Sequence, residues 1–178
     1  MKLAADGLLQ GARQVASPNC DERPPGSAVT LLVLHSISLP PGEYGGDAIE
    51  RLFTNRLDPD GHPYFKEIFS LKVSAHFLVR RDGEVVQFVP VHRRAWHAGE
   101  SAWRGRSRCN DFSVGVELEG SDTATFEDIQ YESLIALIGA LRAVLPLQDA
   151  AAHSDIAPGR RTDPGPRFDW ARVLAARA

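Results

Sequence analysis

Val29 to Leu34 (Val-Thr-Leu-Leu-Val-Leu) is an almost continuous apolar run. It is short and bounded by turn signals, Pro24-Pro25-Gly26 before it and Pro40-Pro41-Gly42 after it. That pattern predicts a strand buried on both faces, with His35 at its C-terminal end. Asp47 to Phe53 and Pro63 to Phe69 read as short helices. Ala75 to Arg80 and Glu84 to Val89 flank Asp82-Gly83, a dipeptide that favours the primed turns of a hairpin, and Pro90 ends the second strand. Arg93 to Asp111 has little periodicity and reads as a long irregular surface segment, of a kind that often carries function.

Ser113 to Glu119 (Ser-Val-Gly-Val-Glu-Leu-Glu) alternates with period two. Val114, Val116 and Leu118 point into a core, while Gly115, Glu117 and Glu119 share the opposite face. Thr125 and Asp128 have the spacing of a capping box at the start of the clearest helix. Leu134, Leu137, Ile138, Leu141, Val144 and Leu145 form its apolar stripe, and Pro146 stops it. Ala150 to Ala152 predicts a short strand ending at His153, followed by a Pro/Gly-rich loop from Ala157 to Pro166. A last amphipathic helix is expected from Phe168 to Ala176. Strands and helices interleave, so the expected class is α/β: one domain with a central mixed sheet flanked by helices. Sites in such sheets collect at the C-terminal ends of strands, where both His35 and His153 fall.

Composition narrows the function classes. With 178 residues, 43% hydrophobic and 24% charged, the chain suits a single globular domain and neither a disordered chain nor a coiled coil. A formal net charge of −3 gives no pull toward nucleic acid or an acidic membrane. Asp6 and Gly7 interrupt any apolar stretch near the start, and no run approaches the ~20 residues of a membrane span. The expectation is a cytoplasmic protein with no membrane, nucleic-acid or obligate protein partner. Its two cysteines, Cys20 and Cys109, then read first as thiols acting as small buried hydrophobes, with a metal or redox role as the alternative.

Six histidines occur, but no HExxH and no CxxC pair, so any metal site must be assembled from distant segments. His35, His153 and Asp163 form one such set. Two imidazoles and a carboxylate leave a fourth position for water, the open pattern of catalytic zinc. The plainer readings stand beside it: a strand-end histidine can be a structural hydrogen-bonder, and Asp163 lies in the turn-forming stretch Thr162-Asp163-Pro164-Gly165. Glu117 and Glu119 can be a solvated sheet edge, or one can serve as a general base beside a metal-bound water. Gly115 in the same strand would permit close approach by a ligand or another backbone. Arg160 or Arg161 can face a developing oxyanion or be a solvated loop charge. Tyr64, Trp96 and Trp103 can line a sugar-binding groove or simply pack.

Four segments together resemble the AmpD family of anhydromuramyl-L-alanine amidases: Leu32–Gly42, Arg94–Gly99, Cys109–Gly120 and His153–Gly165. They follow the family's order over nearly the whole chain. The resemblance implies the amidase type 2 (peptidoglycan-recognition) fold, with residues 1–178 as one zinc amidase domain and a catalytic core of about 28–170. It implies one zinc ion held by His35, His153 and Asp163. It also implies hydrolysis of the amide between 1,6-anhydro-N-acetylmuramic acid and L-Ala in cytosolic muropeptides, a step of cell-wall recycling linked in several bacteria to β-lactamase induction. By position Glu117 matches the catalytic glutamate, Tyr64 a tyrosine near the site, and Arg108 an arginine that binds the stem-peptide carboxylate. Three positions depart from the family: Arg161 where lysine is usual, Ser36 where asparagine is usual, and Lys72 where arginine is usual. Arg161 keeps the charge but cannot transfer a proton. Ser36, a substrate-binding position in the family, is shorter than asparagine and reaches less far, and Lys72 pairs with a carboxylate without a bidentate fork. The rival readings are a non-catalytic muropeptide binder and an amidase of the intact wall.

Overall fold

The two longest strands of the chain lie side by side within a six-stranded sheet. In the computed structural model, which describes residues 1–175, the sheet strands are β1 (Arg13–Gln14), β2 (Leu31–Ile37), β3 (Phe77–Val79), β4 (Val85–Gln87), β5 (Ser113–Glu119) and β6 (Asp149–Ala152). Their spatial order is β6-β2-β5-β3-β4-β1. Only β3 and β4 pair antiparallel, as the hairpin at Asp82-Gly83 requires; the other neighbours are parallel. Gly83 takes φ +84°, and its N–H donates to the Arg80 carbonyl at 2.9 Å. The mixed α/β architecture expected from the interleaved pattern is therefore present.

Parallel pairing explains why β2 is apolar on both faces. Leu32 and Leu34 join Val114, Val116 and Leu118 beneath helix α3 (Asp128–Arg142), whose Leu134, Leu137 and Leu141 are fully buried. On the other face Leu31 and Val33 pack with Cys109, Phe112, Ala151 and Ile156. Helices α1 (Ala48–Phe53) and α2 (Phe65–Ile68) cover the same face further along, against Leu78 and Val86. Two short helices complete the set, α4 (His153–Ile156) and α5 (Trp170–Ala175).

Several local expectations are corrected. β5 is no solvated edge: it is a central strand and all seven of its residues are buried. β2 runs two residues past His35. The N-cap of α3 is Glu127, not Thr125, and the Glu127 N–H donates to Gln130 Oε1 at 3.0 Å. Gln130 also reaches into the sheet, donating to the Val79 and Glu119 carbonyls at 3.2 and 3.1 Å. Anchoring to the sheet thus outweighs the local capping pattern. The helix stops before Pro146, leaving Val144 58% exposed instead of on the apolar stripe. Phe168 is buried ahead of α5, and the expected end at Ala176 lies outside the described residues. The irregular segment contains small ladders, Arg94–Ala95 with Cys20–Asp21 and Ala102–Trp103 with Arg106–Ser107. Both cysteines are free thiols; Cys109 is fully buried and Cys20 only partly so.

Candidate active site

Strand register assembles the site. Ala152 of β6 pairs with Leu34 of β2, and Glu117 of β5 pairs with His35. In parallel strands, residues at one level point to one face. His153 follows directly after Ala152, so His153, His35 and Glu117 stand abreast at the C-terminal ends of three neighbouring strands. The loop after α4 returns to the same place, where Ser154 N–H donates to the Asp163 carbonyl at 3.0 Å.

Three donor atoms converge there. His35 Nδ1 lies 2.9 Å from His153 Nδ1 and 3.2 Å from Asp163 Oδ2, and His153 Nδ1 lies 3.1 Å from the same oxygen. Tetrahedral zinc with bonds of about 2.0–2.1 Å has donor–donor edges of about 3.3 Å, close to this triangle. The chemistry of the set also fits a cation. The outer nitrogens are engaged elsewhere, His153 Nε2 with the Ala98 carbonyl at 3.3 Å and His35 Nε2 with His97 Nδ1 at 2.9 Å. With their protons outward, both rings turn lone pairs toward a carboxylate, an arrangement that a divalent ion satisfies. Burial would push the Asp163 carboxyl up, but the close imidazoles of His153 and His35 outweigh it and hold the group below the usual carboxylate range. Burial pushes the His35 imidazole down to about 4, keeping it neutral. Among the described residues, these three form the one His/Cys/Asp/Glu group with the geometry to hold a metal ion.

The two glutamates of β5 divide sharply in role. Glu119 is a structural acceptor: it takes N–H bonds from Gly45 at 2.6 Å and Arg81 at 3.1 Å, which tie down the loop before α1. Glu117 Oε2 is buried without a hydrogen-bond partner among the described residues. Burial, reinforced by the Asp163 carboxylate, pushes the Glu117 carboxyl well above its usual range, and Arg161 opposes that shift. A buried, unpartnered carboxyl with a raised pKa beside a metal-type triad has the properties of a proton acceptor and donor.

A cleft of about 310 Å³ opens onto this group. Its lining includes the polar side chains of His35, His153, Asp163, Glu117, Arg161 and Ser36 and the rings of Tyr64 and Trp96. Arg160 turns away to the Glu100 carbonyl, which leaves Arg161 as the cleft arginine of the pair. Trp103 also lies elsewhere, its Nε1 donating to Asp149 at 3.1 Å. Lys72 is exposed between two cleft-lining residues, Leu71 and Val73, but is not itself part of the lining. Arg108 is exposed, takes φ +61°, and lies 3.3 Å from Asp111 through Nε, away from the cleft lining.

Three further polar residues were given no role from the sequence: His76, which is fully buried, and His97 and Arg23, which are part-buried. Arg23 donates to the carbonyls of Asn110, Asp111, Val91 and Ser113 at 2.9–3.2 Å, and burial lowers its pKa to about 10. His76 Nδ1 accepts from Gly115 N–H at 3.0 Å, which places its proton on Nε2, 3.0 Å from the Arg93 carbonyl. Burial and then the adjacent Arg23 push the His76 imidazole down to about 3. An unfolded histidine titrates near ~6.5, so between these values the unfolded chain binds a proton that the folded chain does not. The His76 contribution is therefore complete above about pH 6.5 and is lost as pH falls toward the folded value. Urea titrations from pH 7 to 4 should show falling stability, with a shallower fall in His76→Gln. Equal slopes for both proteins would remove His76 as a source of acid sensitivity.

The sequence pattern of the N-acetylmuramoyl-L-alanine amidase family matches residues 25–166. That span contains all three metal-type donors as well as Glu117. The 1,6-anhydro-N-acetylmuramyl-L-alanine amidase AmpD of Escherichia coli K12 is 57% identical over 172 residues, covering 96% of this chain and 94% of that protein. A crystal structure of AmpD superposes with a TM-score of 0.96 at 54% identity, covering 99% of each chain. The E. coli amidase AmiD, solved in complex with anhydro-N-acetylmuramic acid-L-Ala-D-γ-Glu-L-Lys, matches with a TM-score of 0.62 at 30% identity, covering 87% of this chain and 60% of that one. A family pattern running through every segment of the cleft, and relatives more than half identical along almost the entire chain, place this protein in the N-acetylmuramoyl-L-alanine amidase family, within its AmpD branch.

Proposed function

We propose that this protein is a zinc-dependent amidase that cleaves the bond between the lactyl carbonyl of 1,6-anhydro-N-acetylmuramic acid and the L-Ala nitrogen of the stem peptide. The single observation that carries the reading is Glu117, an unpartnered buried carboxyl held in register with His35 at the mouth of a His-His-Asp triad. The substrate class is drawn from the AmpD relatives and from the ligand of the AmiD complex. Residues 1–178 are taken as one amidase domain with a catalytic core of about 28–170, acting in the cytoplasm on soluble recycling intermediates.

His35, His153 and Asp163 would hold the zinc ion. When bound, zinc acts as a Lewis acid toward a carbonyl oxygen and lowers the pKa of a water from about 15.7 toward ~7. Glu117 takes a proton from the attacking water as its oxygen joins the carbonyl carbon. It then delivers that proton to the departing L-Ala nitrogen as the carbon–nitrogen bond breaks. Arg161 keeps a permanent positive charge in the cleft and stabilises the developing oxyanion without exchanging protons. Tyr64 and Trp96 offer ring faces to the sugar, and Ser36 a short hydrogen-bonding group. Lys72 and Arg108, outside the cleft lining, are assigned to carboxylates of a stem peptide that extends beyond it.

Incubation with purified anhydromuramyl-tripeptide, followed by mass detection of the freed peptide, tests the reading. Cleavage should exceed that of polymeric sacculi. Faster release from sacculi would favour a wall amidase, and tight calorimetric binding without release would favour a non-catalytic binder.

A further inference from the structure

His97 supplies neither a metal donor nor the general base, yet the sheet is built around it. A Cβ on Gly115 would lie 2.4 Å from the Cγ of His97, so only glycine at that strand position leaves room for the ring. The backbone of His97 is pinned as well: its N–H and that of Ala98 donate to Asn110 Oδ1 at 3.2 and 2.9 Å. Both ring nitrogens are engaged. Nδ1 lies 2.9 Å from His35 Nε2, and Nε2 lies 3.2 Å from Ser113 Oγ.

These contacts bear on how His35 presents itself. A neutral imidazole carries one proton, so each of these rings pairs one donor nitrogen with one acceptor nitrogen. The nitrogen of His35 that faces His153 and Asp163 is Nδ1, and a metal ligand must be bare. The proton of His35 then resides on Nε2, where His97 Nδ1 is the acceptor. The proton of His97 in turn resides on its Nε2 and points at Ser113 Oγ.

We propose that His97 is a positioning residue for the metal centre: by accepting the His35 Nε2–H bond, it fixes the tautomer and ring orientation in which His35 offers Nδ1 to a divalent cation. This rests on the zinc reading of His35, His153 and Asp163. The arrangement differs from the usual one, in which a carboxylate, backbone carbonyl or water accepts from the ligating histidine. Here the acceptor is a second neutral imidazole, whose own proton is received by the Ser113 hydroxyl. Gly115 belongs to the same device, because it admits the ring.

The test is zinc affinity, measured on the full chain by competition with a chromophoric chelator. Loss of a partner of this kind typically costs about 10–100-fold in metal affinity, and His97→Phe, which fills space without accepting a proton, should show such a loss. His97→Asn, whose amide oxygen can accept the same bond, should recover much of it. Long-range ¹H–¹⁵N spectra of the zinc-loaded wild-type protein should show both His35 and His97 protonated at Nε2. Zinc affinity of folded His97→Phe within twofold of wild type, or a His97 proton on Nδ1, would overturn the proposal. Should the variants fail to fold, the wild-type spectrum decides alone. A wild-type protein that bound no zinc would sink the metal reading and this inference with it, a result distinct from zinc binding indifferent to residue 97.

Discussion

Glu117→Ala is expected to bind zinc about as well as the natural protein and to lose turnover of anhydromuramyl-tripeptide by about 10²–10⁴-fold, the usual contribution of a positioned general acid–base group. The expectation follows from where the carboxyl sits. It is in register with His35 but is not one of the three donors, so its removal leaves the triangle of His35, His153 and Asp163 intact. Its Oε2 has no hydrogen-bond partner among the described residues, so truncation strands no buried partner of that atom. The loss should therefore fall on kcat, with folding and metal content preserved. Glu119→Ala, two residues along the same strand face, makes the contrast. It should destabilise the fold, because the Gly45 and Arg81 N–H groups lose their acceptor. Near-normal turnover by zinc-loaded Glu117→Ala would take this residue out of the mechanism.

Asp163→Ala is expected to abolish stoichiometric zinc binding and, with it, zinc-dependent stabilisation. Asp163 is the single anionic donor of the three, and the two imidazoles alone leave a dication under-coordinated. A ligand that binds only the folded state stabilises by about 4 kcal/mol when present at roughly 1,000 times its dissociation constant. For a chain of this size that corresponds to a rise in Tm of about 8–16 °C. Calorimetric scans with and without zinc should show such a rise in the natural protein and almost none in Asp163→Ala. Chelator treatment should lower the natural protein to the variant's Tm and stop hydrolysis. One zinc per chain at unchanged affinity in Asp163→Ala would place the metal elsewhere.

Much of the site was legible in the chain because its parts lie at element ends. A short apolar run ending at His35, a strand ending just before His153 and a Pro/Gly loop carrying Asp163 are local patterns. Each can be read from period and turn chemistry alone. The role of β5 was harder. Its alternation separates Val114, Val116 and Leu118 from Gly115, Glu117 and Glu119, but a period of two reports only that two faces exist. It does not report what covers the second face, and here both are buried. Glu117 and Glu119 looked equivalent for the same reason. Arg81, Gly45 and Arg80 come from other segments and satisfy Glu119, while Glu117 Oε2 has no partner among the described residues. The capping of α3 moved from Thr125 to Glu127 because Gln130 is bonded to the sheet, a contact no local pattern contains.

The amino-acid order by itself determined the main strands and helices, the Asp82-Gly83 hairpin, the placing of two histidines at or near strand ends and, through four separated segments, the family. Tertiary structure decided which strands became neighbours. The β6-β2-β5 order and its register bring together imidazoles 118 residues apart and set Glu117 beside them. It also decided that His97 occupies the space over Gly115. The physical reason is range. Period, turns and caps are set by sterics among residues a few positions apart. Partner choice across a sheet is set by which buried faces fit together once the whole chain has collapsed.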